Sequence, residues 1–320
     1  MEQKYPAYIV DAFTTRRFAG NPAAVCLIPK ALPENEYNRI AAEFNLSETA
    51  FPTPEDGTFE TATSFLLRWF TPKTEVPLCG HATLATAHVL LYIVNNKNKE
   101  VKFQTKSGEL RVKKFGVNKL EMNFPQYRVM NVVFPNTPKK FEGKFDELTA
   151  PVFFNDIVSS TVPTEIRVEH VAFAPEAKKM IIVIDPKTTK FELENLSVDV
   201  KGLLASHEGS TVRGVIVTLA PSDAKRQGFV DEVDQEYDYA CRYFAPWVGI
   251  SEDPATGSAQ CALAPFWAKI LNKSSLYGLQ SFPGRGAQFN VSLENDRAIL
   301  RGNAVTVLKG EIELNEPTFF

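Results

Sequence analysis

Two stretches of this 320-residue chain carry residue types that do chemistry in places where polar groups are scarce. In Leu46-Ser47-Glu48-Thr49-Ala50-Phe51 a single carboxylate sits in an apolar-flanked run. Glutamate is seldom buried without a task, so Glu48 is either a surface or capping residue at a strand start or a lone general base. From Arg68 to Leu90, a β-forming run, a proline-rich turn and an apolar helix meet at Cys79-Gly80-His81. Pro72 and Pro77 keep the turn out of a helix, and Gly80 opens one on which Leu84, His88, Leu91 and Tyr92 share a face. The positive end of that helix favours an anion near Cys79, Gly80 and His81.

Taken singly, the same residues have plainer readings. His81 alone is an ordinary first-turn residue, and His88, on the apolar face, reads as a satisfied core histidine. Cys79 reads as a small buried filler or as a thiolate activated by the helix start. With only four histidines (His81, His88, His170, His207), no metal-ligand cluster is expected.

The elements around these stretches follow from patterning. Ala7–Phe13 and Ala23–Ile28 form an opening hairpin, and Pro33 begins a helix that presents Tyr37, Ile40, Ala41 and Phe44 and ends near Asn45. The Cys79 helix runs to about Val94, and strands follow at 101–106, 108–114 and 120–124. Between 125 and 205, Pro135, Pro138, Pro151 and Pro163 punctuate short strands. A strand is expected at Met180–Ile184, a helix at 198–205, a strand at Gly214–Leu219 and a polar loop at 221–235.

The second half echoes the first. Phe70-Thr71-Pro72 returns as Phe244-Ala245-Pro246 (244 − 70 = 174), and Gly80-His81-Ala82 as Gly257-Ser258-Ala259 (257 − 80 = 177). Apolar helices follow at 84–94 and 261–270, and Ser107-Gly108 is echoed by Arg285-Gly286 (286 − 108 = 178). A duplicated unit is expected, with lobes at 1–124 and 125–320 and the last strand able to cross back to the first lobe. If the lobes face each other, the two helix starts form a site for a carboxylate or another small anion.

Bulk properties narrow the partners. A net charge of -3 without a basic stripe argues against nucleic acid, and no run reaches the length of a membrane span. The N-terminus lacks a signal-peptide core, and Cys26, Cys79, Cys241 and Cys261 have no CxxC spacing, so reduced thiols and a soluble cytoplasmic protein are expected.

Five segments together closely resemble the phenazine-biosynthesis isomerase-like (PhzF-like) family, in particular its eukaryotic phenazine-biosynthesis-like-domain members. They are Asp11–Val25 (DAFTTRRFAGNPAAV), Asn45–Phe51 (NLSETAF), Arg68–His88 (RWFTPKTEVPLCGHATLATAH), Ser107–Val112 (SGELRV) and Arg242–Gln260 (RYFAPWVGISEDPATGSAQ). The resemblance implies an α+β, diaminopimelate epimerase-like fold: two pseudo-symmetric lobes, each a curved barrel-like sheet around a central helix. It also implies an acid/base at Glu48 and active-site roles for His81, Asp253 and Ser258, with Gly80, Ala82, Thr256 and Gly257 at the substrate. Read without the family, Asp253 or Ser258 would simply cap the helix that follows.

The activity so implied is a cofactor-independent, metal-free isomerisation, in which one carboxylate moves a carbon-bound proton on a dihydro-hydroxyanthranilate-like substrate. A homodimer is likewise implied. Burial of Glu48 would raise its pKa and nearby helix starts would lower it; the sequence leaves both open. The position that repeats Cys79 falls in Pro254-Ala255-Thr256, which has no cysteine, so a two-thiol racemase is disfavoured. The alternative reading is a catalytically silent anion-binding or regulatory protein of the same fold.

Overall fold

A computed structural model describes residues 3–314 other than 117, 135–140 and 142. Pro135 and Pro138 therefore lie outside the described residues. The chain divides into two compact units, Met1–Phe124 with Ile299–Phe320, and Pro125–Ala298.

The strands of the first unit are β1 (Gln3–Ala12), β2 (Asn21–Cys26), β3 (Glu48–Pro54), β4 (Ser64–Phe70), the two-residue β5 (Glu75–Val76), β6 (Glu100–Thr105), β7 (Gly108–Lys114) and β8 (Lys119–Pro125). β1–β2 is antiparallel, β2–β3 parallel, β3–β4 antiparallel, β4–β6 parallel, and β6–β7 and β7–β8 antiparallel. The last described strand of the chain pairs with both β1 and β8, which closes these strands into a ring without an open edge.

Helix α1 (Glu34–Phe44) covers one side of the ring. It buries Tyr37, Ile40 and Ala41 and ends at Asn45 in the left-handed conformation. Tyr37 stacks on Phe70 at 5.1 Å and meets Phe51 edge-on at 4.7 Å. Helix α2 (Gly80–His88) packs against β1, β2, β3 and β7, and every one of its residues is buried. Two threonines tolerate that interior because each hydroxyl donates one turn back: Thr83 to the Cys79 carbonyl at 2.6 Å and Thr86 to that of Ala82 at 2.7 Å. The run Val89–Ile93 then winds as a π-helical turn, not as the plain α-helix that the periodicity predicts.

In the second unit the strands are β9 (Met130–Val133), β10 (Glu147–Thr149), β11 (Val168–Ala174), β12 (Lys179–Ile184), β13 (Gly214–Leu219), β14 (Tyr239–Phe244), β15 (Ser275–Gln280) and β16 (Ala287–Glu294). β17 (Arg297–Leu314) follows a two-residue turn and supplies the closing strand of the first unit. From β11 to β16 the pairings run antiparallel, parallel, antiparallel, parallel, antiparallel. The same alternation joins β1, β2, β3, β4, β6 and β7, so the duplication in the sequence is a duplication of topology.

Helix α3 (Phe153–Thr161), α4 (Lys190–Asn195) and α5 (Val200–Ser206) cover the second sheet, and Thr189 and Glu192 close a capping box on α4. The stretch expected to be a polar loop at 221–235 contains a short helix, α6 (Ala224–Gln227), because Asp223 accepts the Arg226 N–H and Gly228 ends the turn left-handed. Helix α7 (Gly257–Leu271) starts at the Gly257-Ser258 position that the repeat predicts and keeps Pro265 inside it. Proline has no N–H for the Cys261 carbonyl, and the Tyr127 N–H donates to that oxygen instead at 3.0 Å.

Candidate active site

Glu48 opens β3 opposite Ala23, and Asn21 opens the neighbouring strand β2, so the parallel β2–β3 pair presents both at one end. Cys79 and His81 bracket the first residue of α2. His81 Nε2 lies 3.3 Å from Glu48 Oε2 and 3.3 Å from Ser47 Oγ. On the other side of the ring, Nδ1 lies 3.2 Å from Asn21 Nδ2 and 3.4 Å from Cys79 Sγ. An amide nitrogen only donates, so Nδ1 accepts from Asn21 and the ring proton sits on Nε2, facing Glu48.

Glu48 is 6 % exposed, which removes the surface reading of this residue. Its Oε2 is fully enclosed without an aligned hydrogen bond, the His81 approach being close but off-axis. Burial pushes the Glu48 carboxyl up from the usual carboxylate range, and the Ser47 and Cys79 side chains pull the other way. Of the two opposing effects expected from sequence, desolvation wins. A carboxyl raised toward neutrality both accepts and returns a proton readily.

Cys79 is as buried as the filler reading expects, yet its sulfur lies in the site. Glu48, Cys79 and His81 each offer one donor atom, and the three atoms lie within 4.8 Å of one another. A count of histidines does not register this mixed oxygen, sulfur and nitrogen set. His88 is only half-satisfied. Its Nε2 meets Thr306 Oγ1 at 3.1 Å, while Nδ1 is buried without a partner. Asn21 and Ser47, which hold His81, were missed by motif reading, although both fall inside the family segments.

In the second unit, Asp253 is buried and its carboxylate accepts the Thr256 hydroxyl. Buried Gln280 organises that loop: its side chain accepts the Thr256 N–H at 2.8 Å and donates to the Asp253 carbonyl at 2.5 Å. Arg242 fixes the residue before, holding Glu252 through two hydrogen bonds of 2.6 and 2.7 Å and capping the carbonyls of Leu193, Glu194 and Leu196. Thr256 is the N-cap residue of α7, its own side chain does not cap the helix, and Gly257 and half-buried Ser258 form the first turn. Ser258, inside the first turn, is not the cap of this helix.

The strand registers show why the carboxylate occurs once. Thr49 pairs with Phe70 and Val215 with Phe244. With Phe70 and Phe244 equivalent by the repeat, the counterpart of Glu48 is Gly214. A side chain there would meet Tyr243 Oη at 2.2 Å, and that hydroxyl accepts from buried Lys179 at 3.0 Å. The second unit has filled the position with a phenol.

A central helix enclosed by a sheet, repeated once, is the arrangement of the diaminopimelate epimerase-like fold, here with a buried carboxyl–imidazole pair in the first unit. The chain belongs to the phenazine biosynthesis-like protein family (PhzC-PhzF), whose pattern matches residues 10–310. It is 38% identical to a human phenazine biosynthesis-like domain-containing protein over 313 residues, covering 97% of this chain and 99% of that protein. It is 37% identical over 312 residues to an uncharacterized isomerase of Halalkalibacterium halodurans, covering 97% and 98%. The crystal structure of a PhzF-family protein from Enterococcus faecalis matches with a TM-score of 0.77 at 31% identity, covering 98% of this chain and 100% of that one. In the described residues no helix is long and apolar enough to cross a membrane.

Proposed function

We propose that the chain is a cofactor-independent isomerase in which Glu48 takes a proton from carbon on a small carboxylate-bearing, dihydro-hydroxyanthranilate-like substrate and returns it to another carbon. The observation that carries this reading is the enclosed, unpartnered Oε2 of Glu48 beside His81 Nε2. A buried carboxyl oxygen left without a hydrogen bond is costly to keep, and a raised pKa there is what a proton shuttle to carbon needs. The Nε2–H would donate to the substrate atom on which charge develops, while Asn21 holds the ring in that tautomer. No electrons are exchanged: one C–H bond breaks and another forms, with Glu48 as the carrier.

The first turn of α2, with Gly80 and Ala82, would bind a substrate carboxylate through backbone N–H groups. Asp253, Thr256, Gly257 and Ser258 are proposed as further substrate contacts, a role supported by the family pattern and by the way Arg242 and Gln280 hold their loop. The test is deuterium uptake from D2O into a panel of small unsaturated and cyclic acids by wild type and Glu48→Gln. Uptake by wild type alone supports the reading. Identical behaviour of the two proteins on every acid sinks it, and an acid that copurifies without ever being converted points to the silent binding protein instead.

A further inference from the structure

We infer that Glu48, Cys79 and His81 form a binding site for a thiophilic divalent cation, zinc being the best match, and that occupancy silences the proton shuttle. Three observations support the site. The donor atoms lie within 4.8 Å of one another. The three residues are 6, 7 and 4 % exposed, so bulk water competes little for them. Glu48 Oε2, buried and without a hydrogen-bond partner, lies 3.3 Å from the His81 ring at Nε2.

Bond lengths of about 2.0 to 2.3 Å in a tetrahedral shell place neighbouring donors about 3.3 to 3.6 Å apart. Cys79 Sγ and His81 Nδ1 are 3.4 Å apart, already inside that window. An ion bound at Nδ1 displaces the Asn21 amide N–H that this lone pair accepts at 3.2 Å, and leaves Nε2–H toward Ser47 Oγ at 3.3 Å, the outer hydrogen bond that zinc-bound imidazoles usually have. The carboxylate closes the triangle by a side-chain rotation, and one position stays open for water or a substrate oxygen. A thiolate in the set selects zinc or cadmium over magnesium and calcium, which prefer oxygen alone.

Binding has a defined proton balance. The Cys79 thiol gives its proton to solvent as the metal–sulfur bond forms, Glu48 releases one more from whatever fraction is protonated, and His81 binds neutral. The lone pair with which Glu48 would take a carbon-bound proton is then engaged by the metal.

Cobalt(II) reads the site directly, with no substrate present. Added to the full chain, cobalt chloride should give a thiolate-to-metal charge-transfer band at one equivalent, displaced by zinc chloride and not by magnesium. Cys79→Ser should lose the band while keeping the wild-type circular dichroism, and Glu48→Gln should weaken zinc binding at least about tenfold. If Cys79→Ser does not fold, Glu48→Gln and His81→Asn report on the same donors. Absence of the band, its survival in Cys79→Ser through Cys26, Cys241 or Cys261, or unchanged zinc affinity in Glu48→Gln overturns the site. Inhibition of deuterium uptake by zinc is a separate arm that rests on the isomerase reading. Binding without inhibition overturns the silencing and leaves the site, whereas stimulation by zinc contradicts both the silencing and the metal-free reaction.

Discussion

Replacing His88 with glutamine isolates the cost of burying an imidazole in the central helix of the first unit. Burial pushes the His88 pKa from 6.5 down to about 4, and its one hydrogen bond, to Thr306, does not need a charged ring. As pH falls, the unfolded chain takes up the proton near 6.5 and the folded chain only near 4. Stability from this group is therefore complete above about 6.5 and drains away between 6.5 and 4. At about 1.4 kcal/mol per pH unit, that interval corresponds to about 3 kcal/mol. Glutamine keeps a partner for Thr306 and does not titrate. Denaturant unfolding at pH 7 and at pH 4 should show wild type losing about 3 kcal/mol more than His88→Gln over the interval. Equal losses in the two proteins, or a histidine resonance assigned to His88 that titrates near 6.5 in the folded state, would refute the reasoning.

Two further substitutions probe the second unit. Gly214→Ala drives a methyl group into Tyr243 Oη, which a Cβ would approach to 2.2 Å, and should cost about 1–3 kcal/mol in a thermal melt. Arg242→Lys removes the two-point grip on Glu252 and leaves the carbonyls at the end of α4 short of donors. It should destabilise by about 3 kcal/mol in denaturant titration, and an unchanged midpoint would show that the loop before Asp253 is held by Gln280 alone.

Much of the fold is legible in the sequence because its signals are local. The spacing of Tyr37, Ile40 and Ala41, the Gly80 helix start and the repeated Phe-x-Pro and Gly-x-Ala tripeptides each report one element. The π turn at 89–93 and the Pro265 helix are not legible: the apolar periodicity of the first does not distinguish a π turn from an α-helix, and the second depends on a distant partner, the Tyr127 N–H. The same division holds for the site. Glu48 and His81 stand out by type and setting. Cys79 looks expendable when judged by its missing repeat partner, and Asn21 and Ser47 carry no chemistry of their own. Only the parallel pairing of β2 with β3 beside the start of α2 brings those three to the imidazole.

The central claim is that Glu48 carries the proton. Its most direct test is the time course of deuterium uptake into a turned-over acid, followed by NMR for wild type and Glu48→Gln across a pH series. The account predicts uptake by wild type that rises with pH through an inflection above the usual carboxylate range, as the buried carboxyl ionises, and none by the variant. Uptake at the wild-type rate in Glu48→Gln, whatever its pH dependence, would contradict it.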